Sequence, residues 1–153
     1  MKTIYFFIKA WLLVGILDIL AAMLSFYLST GKSPLIVLKF ITSAVSGAEA
    51  YTGGTTSIIF GLVLHFMVAF LFTLFFFLLY KPLALHRYNL YLIGIVYGIF
   101  IWLVMAKLVL PMTSVKQQPF KWLEAGRAML ILITMIGLPL AFMLKKKYGN
   151  NDR

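Results

Sequence analysis

Four long runs of apolar residues dominate the chain, and short polar segments separate them. The runs cover residues 4–29, 55–80, 88–110 and 122–144. A helix needs about 20 apolar residues to cross the roughly 30 Å hydrocarbon core of a bilayer, and each run meets that length. The pattern therefore predicts an all-α polytopic membrane protein in which residues 1–153 form a single bundle of four transmembrane helices.

A fifth, shorter apolar stretch lies between the first two runs. It begins at Ser33-Pro34, which pairs a capping residue with a proline at the first helical position. It covers residues 34–50 and ends shortly before Gly53-Gly54. Its length is short for a span, and charged residues interrupt it. We expect a re-entrant or interfacial helix that returns to its own side. A fifth span is the alternative, and it would place the two termini on opposite sides.

Composition and charge agree with a membrane protein. Hydrophobic residues make up 63% of the chain, the mean hydropathy is +0.99, and 14 basic residues oppose 4 acidic ones. The basic residues lie mainly at the ends of the apolar runs, where they contact anionic lipid headgroups and set orientation, so nucleic-acid binding is not expected. The absence of cysteine excludes disulfides and thiolate chemistry.

The distribution of basic residues predicts the orientation in the membrane. With four spans and both termini in the cytoplasm, eight basic residues face the cytoplasm and six face outside. This bias, dominated by the C-terminal lysine run, predicts that both termini are cytoplasmic. The cytoplasmic set is Lys2, Lys9, Lys81, Arg87, Lys145, Lys146, Lys147 and Arg153, and the outer set is Lys32, Lys39, Lys107, Lys116, Lys121 and Arg127. Aromatic residues near the span ends, Trp11 and Tyr80 among them, are typical of interfacial belts.

Small residues recur at helical spacing in every span. Such stripes let helix backbones approach closely in lipid, where dispersion and interhelical hydrogen bonds drive association. The glycines that we expect to pack helices together are Gly15, Gly61, Gly94 and Gly98. The Gly94 and Gly98 face is also a candidate contact for a homodimer.

Asp18 and His65 are the most informative polar residues, because each lies near the middle of a span and belongs to its stripe of small residues. Charged groups at that depth are costly and usually face a partner or a polar cavity. A carboxylate and an imidazole at matching depth can share a proton. Glu49, which ends the short helix, could reach Lys39, Arg127 or His65, so Asp18, His65 and Glu49 form the predicted intramembrane polar centre.

The remaining chemistry narrows the function. Glu124 and Arg127 stand at the spacing of a helix-surface ion pair. Three scattered candidate ligands are a weak signal for a metal, and no catalytic motif is present. We therefore expect neither a metal, nor a cofactor, nor enzymatic activity.

The polar centre indicates permeation of protons or a small solute. The alternative is a structural or accessory subunit in which the polar residues only fix helix packing.

Several segments together resemble a family of small bacterial inner-membrane proteins with about four spans and no established function. The resemblance implies a bacterial inner-membrane location. It departs from the family pattern at Ala106, since an asparagine often follows the methionine that is Met105 here. The segments that carry it are Gly15-Ile16-Leu17-Asp18-Ile19, Ser46-Gly47, Gly53-Gly54, Gly61-Leu62-Val63-Leu64-His65-Phe66, Gly94-Ile95-Val96-Tyr97-Gly98, Leu110-Pro111 and Gly137-Leu138-Pro139-Leu140-Ala141.

Overall fold

The computed structural model describes residues 2–114 and 121–148, and every regular element in these ranges is helical. Four helical segments are long and apolar enough to cross a membrane, which confirms the predicted all-α polytopic fold. Lys116 and Arg153, which contributed to the orientation argument, lie outside the described residues. The four candidate spans are Thr3–Thr30, Gly54–Tyr80, Leu90–Met112 and Trp122–Tyr148.

Within residues 2–114 and 121–148, six α-helices follow one another. They are α1 (Lys2–Thr30), α2 (Ile36–Ser46), α3 (Gly54–Tyr80), α4 (Leu90–Val104), α5 (Trp122–Leu132) and α6 (Leu138–Tyr148). We call the end of the bundle where α1 ends and α3 begins the loop end. The opposite end, where α3 and α6 end, is the terminal end.

The short helix α2 does not span a membrane. Its 11 residues rise only about 16 Å, roughly half of a hydrocarbon core. It continues into a 3₁₀ turn, Gly47–Tyr51, before α3 begins. The start differs from the prediction, because Pro34 forms a turn and the helix begins two residues later. The Ser33 side chain makes no cap; its backbone carbonyl instead accepts a hydrogen bond from the Ile36 N–H.

Helix α2 packs along α3 at the loop end. The Thr42 hydroxyl is buried and donates a hydrogen bond of 2.5 Å to the Ser57 carbonyl of α3. A Cβ atom at Gly61 would collide with the Leu38 carbonyl, so only glycine permits this approach. These contacts hold α2 against the bundle as a return segment.

Two π-helical turns interrupt the last two spans, and each ends two residues before a proline. Met105–Val109 precedes Pro111, and Ile133–Gly137 precedes Pro139. A proline in a helix lacks the N–H for the carbonyl four residues earlier, and its ring clashes with that carbonyl. A π turn widens the helix there and lets the span continue.

The second π turn lies at a close contact between α4 and the last span. A Cβ atom at Gly98 would lie 2.5 Å from the Ile133 Cα, and one at Gly94 would lie 2.6 Å from Leu138 Cδ2. Gly137 in turn contacts the Gly94 backbone. The proposed homodimer contact through Gly94 and Gly98 is therefore corrected, because Leu138 of α6 covers Gly94 and Ile133 of the π turn covers Gly98 within the same chain.

Two further expectations differ from the structure, because helix rotation sets the position of Trp11 and a residue outside α5 takes the place of Arg127. Trp11 is not part of an interfacial belt; its indole N–H donates a hydrogen bond of 2.8 Å to the Phe66 carbonyl between α1 and α3. Glu124 pairs with Lys121 at 2.9 Å rather than with Arg127. Lys121 lies one residue before the start of α5, so its side chain reaches Glu124 in the first turn from outside the helix.

Candidate functional site

Asp18 and His65 lie at the same depth on two antiparallel helices. Asp18 is 12 residues before the end of α1 at Thr30, and His65 is 11 residues after the start of α3 at Gly54. At a rise of 1.5 Å per residue, both are about 16 to 18 Å from the loop end. The matching depth of Asp18 and His65, predicted from their positions in the two apolar runs, therefore agrees with the arrangement of the two helices.

The His65 imidazole forms a hydrogen bond from α3 to α1 about one helical turn before Asp18 in the sequence. Its Nε2 atom lies 2.9 Å from the Gly15 carbonyl oxygen, and because a carbonyl only accepts, Nε2 carries the proton. Gly15 permits this approach, since a Cβ there would lie 2.7 Å from the Phe66 ring. Phe66 also stands edge-on to the imidazole, with ring centroids 5.5 Å apart. The imidazole is thus held in one orientation beside α1.

Asp18 continues the inward face of α1. Val14 and Ile19, which flank it on that face, are buried, and Asp18 itself is half-buried. Its carboxylate lies within electrostatic range of His65. Within residues 2–114 and 121–148, however, neither a hydrogen bond nor an ion pair reaches the carboxylate. His65 therefore acts on the Asp18 carboxylate through its charge, without a direct bond.

Glu49 does not join this pair. It lies in the 3₁₀ turn Gly47–Tyr51 at the loop end, where its side chain is exposed and its backbone carbonyl caps the turn. His65 is about 16 Å further along α3. Lys39, a candidate partner of Glu49, donates instead to the Tyr51 carbonyl at 3.0 Å. In the described residues no group of three acidic, histidine or cysteine side chains could hold a metal ion. The predicted three-residue centre is therefore reduced to Asp18 and His65.

A cavity of about 440 Å³, open to the surface of the bundle, lies between α1 and α5 on the loop side of Asp18, and exposed side chains such as Leu24 and Leu28 form part of its lining. Ala21 and Ser25 line it from α1, and they stand three and seven residues beyond Asp18, on the same helix face. Arg127 lines it from α5, with an exposed side chain at the second turn of that helix. The inner part of the cavity therefore begins about one helical turn from Asp18.

On the terminal side of Asp18, aromatic rings close the space between α1 and α3. We call this group the aromatic layer; its members are Phe7, Trp11, Phe66, Phe70 and Phe77, with centroid separations of 5.1 to 6.1 Å and nearly perpendicular planes. Edge-to-face packing of this kind leaves little free volume. Asp18 therefore lies between the aromatic layer on its terminal side and, about one helical turn away on its loop side, the cavity.

Sequence reasoning missed the cavity and the role of Arg127 at its mouth. The spacing of Ala21 and Ser25 from Asp18 signals a face of small side chains, but it does not show that α5 leaves space opposite them. The π turns had a clearer signal, since both Leu110-Pro111 and Leu138-Pro139 place a proline inside an apolar run.

Comparisons with known protein families, with curated proteins and with solved structures find no match to this chain. The similarity to bacterial inner-membrane proteins stays an expectation from the sequence. Asp18, His65 and the space around them are therefore the features from which a function can be inferred.

Proposed function

We propose that this integral membrane protein conducts protons, or a small solute coupled to protons, with Asp18 as the group that takes up and releases the proton. The observation that carries the proposal is the Asp18 carboxylate, which lies mid-span without a bonded partner in the described part of the chain. An acidic residue at the bilayer centre costs roughly 2.5–3.5 kcal/mol on insertion scales, and such residues mark proton relays and ion paths. A purely structural carboxylate would be expected to hold a direct partner.

His65 supports proton exchange at Asp18 through its charge. Because Nε2 donates to the Gly15 carbonyl, Nδ1 is the ring nitrogen left to accept a proton. A protonated imidazole favours the ionised Asp18, and a neutral imidazole favours the protonated acid. His65 thus acts on Asp18 through electrostatics while its orientation stays fixed.

The cavity and the aromatic layer define the direction of access. In this proposal protons reach Asp18 from the loop end, and the supporting observation is the space lined by Ala21 and Ser25 one helical turn away. The aromatic layer blocks the other side in this conformation. Complete permeation therefore requires the rings between α1 and α3 to separate, which is the alternating access expected of a transporter rather than an open pore.

The test is proton flux into liposomes that contain the full-length protein and a trapped pH-sensitive dye, driven by a potassium diffusion potential. We expect flux in the wild type and, for Asp18→Asn, flux at the level of protein-free liposomes. Glu124→Gln is the matched control, because it makes the same charge change at an exposed position outside the centre and should keep wild-type flux. A silent wild type, or an Asp18→Asn variant with full flux, would overturn the proposal.

A structural role is the second candidate, favoured by the hydrogen bond between His65 and Gly15. Such bonds between membrane helices contribute about 0.6 kcal/mol on average and up to about 1.7. Under this alternative the wild type conducts nothing and His65→Ala lowers the unfolding temperature. Asp18→Asn would then raise it, because a carboxylate leaves the membrane interior.

The proposed location is a bacterial inner membrane with both termini in the cytoplasm. Four candidate spans support a multi-pass protein with its two ends on one side. The excess of basic residues on the terminal side, including Lys145, Lys146 and Lys147, supports the cytoplasmic assignment.

A further inference from the structure

Basic and aromatic side chains from three helices meet at the terminal end of the bundle. The Lys147 ammonium lies 4.4 Å from the Phe6 ring centroid and 5.3 Å from that of Tyr148. The Lys81 ammonium lies 4.8 Å from the Tyr148 centroid, and the Tyr80 ring stands 5.8 Å from it. Tyr148 is therefore the centre of a cluster that we call the terminal cluster: Phe6, Tyr80, Lys81, Lys147 and Tyr148.

Two polar atoms in the terminal cluster are buried without a hydrogen-bond partner among the described residues. They are the Tyr80 hydroxyl and the Lys147 ammonium nitrogen. Tyr80 has an exposed fraction of 0%, so its hydroxyl is also shielded from solvent. A buried donor left unsatisfied is destabilising. Contact with the faces of Phe6 and Tyr148 favours the cation of Lys147, but these rings supply no conventional acceptor.

The charges of the terminal cluster are also unbalanced. Lys81 follows the end of α3 and Lys147 lies in α6. Both ammonium groups lie near the Tyr148 ring, and the two positive charges repel each other. Lysines near a helix C-terminus commonly bind the last carbonyls, and Lys147 belongs to the last turn of α6. Its ammonium nitrogen instead lies over two rings and makes no such bond. The cluster therefore places two cations and the ring of Tyr80, whose hydroxyl is unsatisfied, around the Tyr148 ring.

We propose that the terminal cluster is a binding site for the phosphate group of an anionic membrane lipid, held by Lys147, Lys81 and the Tyr80 hydroxyl. A phosphate group supplies negative charge and several acceptor oxygens, which match these three donors. The cluster lies where α3 and α6 end, the depth of lipid headgroups, and basic pockets between transmembrane helices bind such groups. The proposal does not depend on the proposed function.

The test measures binding of phosphatidylglycerol to the purified full-length protein by native mass spectrometry and by the lipid-dependent rise in unfolding temperature. Lys147→Met keeps the apolar stem and removes the charge, and Tyr80→Phe removes only the hydroxyl. We expect each to weaken binding roughly tenfold, the typical effect of losing one charge-assisted hydrogen bond. Lys146→Met is the matched control, because Lys146 is the exposed neighbour and carries the same charge, and this variant should bind like the wild type.

Each remaining outcome decides the proposal. Equal weakening by Lys146→Met and Lys147→Met would show a diffuse charge effect and overturn a defined site. Wild-type binding in Lys147→Met and Tyr80→Phe would overturn it as well.

Phosphatidylcholine is expected to give a smaller rise in unfolding temperature than phosphatidylglycerol, and inorganic phosphate almost none. Stabilisation by inorganic phosphate equal to that by phosphatidylglycerol would reject the lipid as the source of the phosphate group. Unfolding temperatures without added lipid show whether each variant is folded.

Discussion

At the scale of single residues, the glycines show how closely this bundle is packed. Gly98 lies against the backbone of Ile133, with distances of 2.5 Å and 2.8 Å from an added Cβ to the Ile133 Cα and N atoms. Gly126 occupies the middle of α5, and nothing lies within 4 Å of the Cβ that would be added there. Two glycines of the same half of the bundle thus have opposite environments.

This contrast predicts opposite effects of the same substitution. Gly98→Ala should destabilise the protein by about 1–3 kcal/mol, because its new methyl group meets backbone that cannot rotate away. Gly126→Ala should be neutral or stabilise it by up to about 1 kcal/mol, since alanine has the higher helix propensity. Thermal unfolding in detergent, followed by circular dichroism, gives both values. Similar unfolding temperatures for the two variants would contradict the packing described for α4 and the π turn.

At the scale of elements, α2 depends on its contacts with α3. Eleven residues form a marginal helix on their own, so packing must supply most of its stability. The Thr42 hydroxyl bonded to the Ser57 carbonyl and the close approach at Gly61 provide that packing. The segment is therefore expected to open separately from the four spans.

Thr42→Val tests this dependence. Valine keeps the shape and removes the hydrogen bond, which is worth about 0.6–1.7 kcal/mol between membrane helices. Amide hydrogen exchange over residues 36–51 should then accelerate by roughly three- to eighteenfold, while the spans keep their protection. Thr52→Val is the control, because Thr52 is exposed and bonds only to the nearby Glu49 carbonyl. Unchanged exchange in Thr42→Val would show that apolar contacts alone hold α2.

At the scale of the whole molecule, the sequence predicts what depends on local hydropathy and helix counting. The second span was expected at 55–80 and is Gly54–Tyr80, and the matching depth of Asp18 and His65 followed from counting along antiparallel helices. The inward position of Trp11 and the contacts of Gly98 could not be predicted. They depend on how each helix is rotated, and apolar residues surround these spans on nearly every side. The cavity near Asp18 depends on the distance between α1 and α5, and the hydrophobic pattern within a single apolar run does not determine that distance.

The arrangement of the whole chain predicts which segments share a side of the membrane. If α2 returns to its own side, Ser33 and Thr52 lie together at the loop end, and Tyr88, between α3 and α4, lies at the terminal end. All three are exposed, and the chain contains no cysteine, so single cysteines at these positions report access directly. A membrane-impermeant maleimide added to inverted vesicles should label Tyr88→Cys and leave Ser33→Cys and Thr52→Cys unlabelled, because the basic terminal side faces the cytoplasm. Intact spheroplasts should give the reverse pattern. Labelling of Ser33→Cys and Thr52→Cys from opposite sides would mean that α2 crosses the membrane, and the single topology of four spans would then be wrong.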